Sequence, residues 1–271
     1  MIISILGCGW VGMPLAHNLV QAGYTVKGST TRATKQATIN QLGAQAYHLQ
    51  LTPELTQDPA DFFACDVLVV TMPPPRSSED LNEHDYLTRQ AEVVLEHLDA
   101  ASHLIVTSST SVYAKNNQTV TEDDDTPPES ARGQALRGYE QAFQKRPVTI
   151  LRLAGLFGKD RQPGRFLAGR QDLPGGASPV NMVHGDDVVA AIERVIETYQ
   201  AGQDVSGTFN ICADTHPTRA SFFQQAARNA NLPLPTFSGE DRPYAQIDNQ
   251  TFKRRFDFSY HYPDVLAALL V

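Results

Sequence analysis

The chain opens with Ile2-Ile3-Ser4-Ile5-Leu6, an apolar run of strand length, and then alternates between two patterns. Short strand-like runs recur at 24–29, 45–51, 66–72, 103–107, 148–153 and 207–212. Apolar residues at helical spacing fill the intervals at 35–42, 81–99, 130–145 and 187–199, the last capped by Asp186. This alternation predicts an α/β fold, a doubly wound parallel sheet with helices on both faces. The expected main domain is 1–157, rejoined by about 180–212, with 158–179 and 213–271 forming a small C-terminal α/β lobe. The aromatic stretch 252–262 reads as the core of that lobe. The stretch 115–129 is polar, acidic and Pro-containing, a surface loop. Its Glu122-Asp123-Asp124-Asp125 run reads as a solvated face rather than a metal site.

The first strand passes directly into Gly7-Cys8-Gly9-Trp10-Val11-Gly12, a G-x-G-x-x-G between a strand and an amphipathic helix. In this Rossmann-type setting a dinucleotide pyrophosphate rests on the helix N-terminus. Gly7 permits the tight turn, Gly9 lets the backbone approach the phosphates, and Gly12 lets helix and strand pack closely, with Trp10 and Val11 between them. The position that selects the cofactor falls about 20 residues further on. There the chain reads Gly28-Ser29-Thr30-Thr31-Arg32-Ala33-Thr34-Lys35, with no acid. The hydroxyls of Ser29, Thr30 and Thr31 and the cations Arg32 and Lys35 suit a 2′-phosphate, which favours NADP over NAD. A solvated Ser/Thr turn capping the next helix is the alternative. At the end of the strand at 66–72, Met72-Pro73-Pro74 either shapes the wall facing the cofactor or makes a rigid turn.

The 271 residues are 41% hydrophobic with a formal net charge of −8, which argues against sustained binding to nucleic acid or an anionic membrane surface. Cys8, Cys65 and Cys212 have no metal spacing and read as reduced thiols. With no secretory leader and no long apolar run expected, the reading is a cytoplasmic protein.

From Thr107-Ser108-Ser109-Thr110-Ser111-Val112-Tyr113 onward the chain resembles the extended short-chain dehydrogenase/reductase superfamily, the NAD(P)-dependent epimerases and dehydratases. Segments 121–130, 151–158 and 180–187 resemble that family in the same order. The resemblance implies a nicotinamide site between the C-terminal edge of the sheet and a small substrate lobe, with Thr107, Ser108, Ala154 and Gly155 along the cofactor. Family chemistry uses a Ser or Thr hydroxyl, a Tyr that moves the proton, and a Lys four residues later that lowers the phenol pKa. Ser109 matches the hydroxyl. Arg132 stands at the Tyr position, Leu136 at the Lys position and Glu140 where the family often has a Glu. Tyr139 lies seven residues past Arg132, roughly 10 Å along a helix, too far to replace the missing phenol.

These departures leave Ser109, Arg132 and Tyr113 as the catalytic candidates, with Tyr113 open between proton transfer and packing. Lys159, Arg161, Arg165 and Arg170 outnumber Asp160 and Asp172 in the Gly-rich loop at 158–176. Arg161 and Arg165, with His184, are the substrate-binding candidates, an anionic sugar-nucleotide-like group being the expected ligand. Ordinary surface charge and a structural histidine are the alternatives. The expected function is an NADP-dependent oxidoreductase acting on a small polar molecule; the competing one is a silent NADP-binding sensor. The resemblance also suggests a homodimer through the helices at 81–99 and 130–145. Gly7 to Ala16 further resembles the hydroxyacid and phosphogluconate dehydrogenases, but their second domain is largely helical, whereas strand-like runs continue here.

Overall fold

The computed structural model describes residues 1–59, 61–72 and 82–270. The elements run β1 (Ile2–Leu6), α1 (Gly12–Gln21), β2 (Thr25–Thr30), α2 (Gln36–Gln41), β3 (Gln45–His48), β4 (Val67–Val70), α3 (Glu83–His97) and β5 (His103–Ser109). They continue with β6 (Gln118–Val120), α4 (Ala131–Phe143), β7 (Thr149–Leu153), β8 (Gly155–Phe157), α5 (Gly164–Leu167), β9 (Met182–His184) and α6 (Gly185–Gln200). The last are β10 (Gly207–Ile211), α7 (Arg219–Asn229), β11 (Ala245–Ile247) and α8 (Gln250–Phe256).

The chain divides into two compact units. The first comprises Met1–Val112, Pro128–Leu151 and Ile192–Thr208. It carries the sheet of order β10-β7-β5-β4-β1-β2-β3, to which β7 and β10 contribute their leading residues. The α/β doubly wound expectation holds: Ile3 pairs in parallel with Val26 on one side and Val67 on the other, and Val67 with His103. β4 is Val-Leu-Val-Val and wholly buried, as a central strand covered on both faces must be. Helices α3 and α4 approach closely at Gly138, where an added Cβ would fall 2.3 Å from His84 Cε1. Helix α4 starts where Ser130 Oγ accepts the Gly133 N–H, a side-chain cap.

At the opposite ends of these strands, His103 is buried and stacked on Tyr199, ring centroids 4.9 Å apart. The Thr149 hydroxyl donates to Val205 O, so its oxygen accepts from His103 Nε2 at 2.9 Å, which fixes the neutral Nε2–H tautomer. Burial first, and the Arg146 guanidinium second, hold the imidazole down at about 4, with Asp204 opposing. A folded pKa below the usual 6.5 means that the unfolded chain takes up the proton first. The contribution is therefore complete above pH 6.5 and is lost as pH falls towards 4, about 3 kcal/mol in all. Urea unfolding at pH 7.5 and pH 4.5 should show this loss in the natural protein and most of it abolished in His103→Gln; equal acid sensitivity would place the effect elsewhere.

The second unit comprises Tyr113–Pro127, Arg152–Ala191 and Phe209–Val271. It holds two small parallel pairs, β6 with β11 and β8 with β9. The expected loop at 115–129 thus contains a strand, because Gln118 pairs with Ala245, a partner no local pattern announces. The aromatic stretch does form a core: Phe252, Phe256, Phe258 and Tyr260 are buried, with Phe209 5.1 Å from Phe256. Asp186 is not the cap of α6 but lies in its first turn beside Asp187, where acidic groups complement the helix dipole.

Candidate functional site

At the end of β1 the three glycines differ in local geometry. Gly7 has φ +107°, a conformation side chains rarely adopt. An added Cβ on Gly12 would lie 2.4 Å from Gly7 O, so helix and turn touch there. On Gly9, which is exposed, the same atom meets nothing nearer among the described residues than Gly7 O at 3.9 Å, so none of them crowds the backbone there. Helix α1 begins at Gly12 with no side-chain cap from Val11 and no acid in its first turn. Its positive end is thus fitted to an anion.

Around this turn stand the ends of neighbouring strands. Ser29 is buried: its Oγ accepts the Gly7 N–H (2.9 Å) and its carbonyl the Cys8 N–H (2.7 Å). Thr71, just past β4, donates to Gly7 O at 2.7 Å. Thr30 Oγ1 accepts the Arg32 N–H, Thr31 and Arg32 are exposed, and Lys35 is half-buried, near enough to Cys8 to favour its thiolate. Burial outweighs that effect and pushes the Cys8 thiol up to about 12, which leaves it unreactive. Met72 packs against Gly7, while Pro73 and Pro74 lie outside the described residues. Thr107 donates to Val70 O, and the buried Ser108 hydroxyl has no partner among the described residues. Uncrowded backbone at Gly9, an uncapped helix start and an orphaned hydroxyl at the same sheet edge fit a dinucleotide. Ala154 and Gly155 belong to the second unit, where their N–H groups donate to Ile211 O and Asn181 O.

Ser109 ends β5 with its Oγ 3.1 Å from Ser111 Oγ. The turn that follows packs on α4, where a Cβ on Gly133 would fall 2.6 Å from Ser111 O. Arg132, the neighbour of Gly133, is therefore carried to the turn after Ser109, and it forms an ion pair with Glu83 at the start of α3. Glu83 was not visible as a candidate, since it stands 49 positions earlier in the chain. Leu136, one turn further along α4, is fully buried. Tyr139 is also buried, its phenol raised far above the ordinary range by desolvation.

In the second unit Tyr113 is 2% exposed; its hydroxyl donates to Asn210 Oδ1 (2.7 Å) and accepts from Arg152 Nη1 (2.8 Å). Burial raises its pKa, with the Arg152 guanidinium opposing. His184 is buried between Phe157 and Tyr262, its Nδ1 accepting the Asp186 N–H, and burial lowers its pKa. Arg161 and Arg165 are exposed, and Lys159 pairs with Asp186 at 3.0 Å. A further cationic group comprises Arg170, already a candidate in the Gly-rich loop, with Lys115, Arg219 and Arg242, which the sequence did not single out. Desolvation, then the charges of Arg242 and Arg170, lower the Arg219 pKa, and Arg242 likewise depresses the desolvated Lys115. None of the four has a carboxylate partner among the described residues. Also among the described residues, no cluster of three His, Cys, Asp or Glu could hold a metal, and no helix is long and apolar enough to cross a membrane.

Fold and glycine turn together define a Rossmann protein of the dinucleotide-binding kind. The model of the NAD dependent epimerase/dehydratase family matches residues 3–212, and the chain belongs to that family. It is 37% identical over 276 residues, 97% of each chain, to Protein YeeZ of Escherichia coli strain K12. Among solved structures it resembles UDP-glucuronic acid 4-epimerase from Bacillus cereus in complex with UDP-glucuronic acid and NAD. There the TM-score is 0.78 at 18% identity, covering 99% of this chain and 96% of that one. It also resembles a functionally unknown conserved protein from Silicibacter pomeroyi, with TM-score 0.75 at 20% identity over 99% and 96% of the two chains. A short-chain dehydrogenase/reductase superfamily protein from Agrobacterium tumefaciens with bound NAD gives 0.77 at 19%, over 100% and 95%.

Proposed function

We propose that the protein is an NADP-dependent oxidoreductase of the epimerase/dehydratase type, acting on a small polar substrate with an anionic group of the sugar-nucleotide class. The observation that carries this reading is the uncrowded backbone at Gly9 beside a strand end that lacks any carboxylate. Thr31, Arg32 and Lys35 would meet the 2′-phosphate through hydroxyl and cationic donors, and a carboxylate that would repel it is missing. A bound nicotinamide would supply or accept the hydride. Ser109 would donate to the reacting oxygen, and Arg132, held by Glu83, would stabilise negative charge on it. Arginine stays protonated near neutral pH, so the proton comes from water or a substrate group. For Tyr113, burial and two hydrogen bonds favour an anchoring part over proton transfer. Within the second unit, Lys115, Arg170, Arg219 and Arg242 form a cationic group whose chemistry suits an anion. The bacterial epimerase neighbour, in complex with UDP-glucuronic acid and NAD, is consistent with this substrate class.

A buried Leu136 in place of the lysine favours the second reading, a protein that holds NADP without turnover. Parallel fluorescence titrations with NADPH and NADH test the cofactor. NADPH should bind at least about tenfold more tightly, a difference of ~1.4 kcal/mol. Equal affinities would remove the 2′-phosphate reading. Because an epimerase or dehydratase returns the hydride to its substrate, chromatographic analysis of products formed from UDP-glucose or UDP-glucuronic acid, alongside nicotinamide absorbance, then separates an enzyme acting on this substrate class from a sensor.

A further inference from the structure

Two side chains from neighbouring strand ends grip Gly7 from opposite sides. The Gly7 N–H points to Ser29 Oγ at the end of β2, and the Gly7 carbonyl accepts from Thr71 Oγ1 just past β4. The next peptide is tied as well, Cys8 N–H donating to Ser29 O at 2.7 Å. Gly28, beside Ser29, has no room for a Cβ, which would fall 2.7 Å from Cys8 Sγ, so the turn and β2 are in direct contact. Thr71 also borders the helix start, its Oγ1 lying 3.0 Å from where a Cβ on Gly12 would sit.

A glycine at φ +107° has a wide choice of backbone states, and its freedom must be removed before a ligand arrives if the ligand is not to bear that cost. We propose that Ser29 and Thr71 are positioning residues for the pyrophosphate: by gripping the N–H and C=O of Gly7 they hold the turn in its receiving shape. This rests on the reading of the turn as a dinucleotide site. With Gly7 committed to side chains, anion recognition falls to the start of α1. Ser29, 2% exposed, then serves the turn, and selection of the 2′-phosphate is left to Thr31, Arg32 and Lys35.

The test measures binding of NADPH, ADP-ribose and adenosine 2′-phosphate by calorimetry, on the natural protein and on Thr71→Val, Thr71→Ser and Ser29→Ala, with thermal midpoints alongside. Thr71→Val keeps the shape of the side chain and removes the donor. It should weaken NADPH and ADP-ribose, which carry the pyrophosphate, roughly tenfold. Adenosine 2′-phosphate, which lacks it, should bind as before, and Thr71→Ser should restore affinity. Ser29→Ala should follow Thr71→Val. Unchanged NADPH affinity in both variants would overturn the proposal, as would an equal loss for all three ligands, which marks general loosening of the fold. If the natural protein binds neither NADPH nor ADP-ribose, the dinucleotide reading itself falls and takes the proposal with it.

Discussion

Gly9→Val should leave the protein folded and weaken NADPH binding by at least about a hundredfold, ~2.7 kcal/mol. The first added atom has room, 3.9 Å from Gly7 O, and the residue is exposed, so the native packing has nothing to give up. The branched side chain instead occupies the space where the phosphates approach the backbone. Gly12→Val is the counterpart with the opposite signature. Its Cβ would lie 2.4 Å from Gly7 O and 3.0 Å from Thr71 Oγ1, and a backbone oxygen cannot swing aside as a flexible side chain does. That variant should lose about 2 kcal/mol or more of stability together with cofactor affinity. Fluorescence titration and thermal unfolding of both variants decide the matter. If Gly9→Val binds NADPH normally, the turn does not hold the pyrophosphate; if it unfolds, the open space is occupied by something essential to the fold.

The glycine turn was legible in the sequence because everything that defines it is local: an apolar run, three spaced glycines and a helix. The strands of the main sheet were legible for the same reason. What escaped depends on approach in space. Glu83 reaches Arg132 only because α3 and α4 pack closely, as at His84 and Gly138. Lys115, Arg170, Arg219 and Arg242 come from four separate stretches, and no charge run joins them. Strand β6 exists only through its pairing with β11. Ser29 illustrates a subtler limit. All but the first residue of β2 is buried, so alternation of faces could not say whether its hydroxyl would turn to the cofactor or to the glycine turn.

Asp187→Ala should cost about 3 kcal/mol of stability. The carboxylate is fully buried and accepts two backbone N–H groups, His261 at 2.6 Å and Tyr262 at 3.1 Å. Truncation strands both donors and leaves a void. Those two bonds fasten the C-terminal segment to the start of α6, and the segment brings important packing with it. Tyr262 lies 4.1 Å from the His184 ring, and Val265 and Ala268 join Phe157, Val180, Met182 and Phe222 in one apolar cluster. Burial raises the Asp187 pKa, so the charge itself is held at a cost, with the two N–H bonds opposing. Asp187→Asn removes that cost and keeps one acceptor, but turns an amide donor towards the second N–H, and should fall between the natural protein and Ala. Thermal unfolding should place Asp187→Ala roughly 10 °C below the natural protein. Limited proteolysis read by mass spectrometry should find new cleavage beyond residue 257 in this variant before any in β1 to β5. Simultaneous cleavage throughout, or a midpoint unchanged from the natural protein, would show that Asp187 does not fasten this segment.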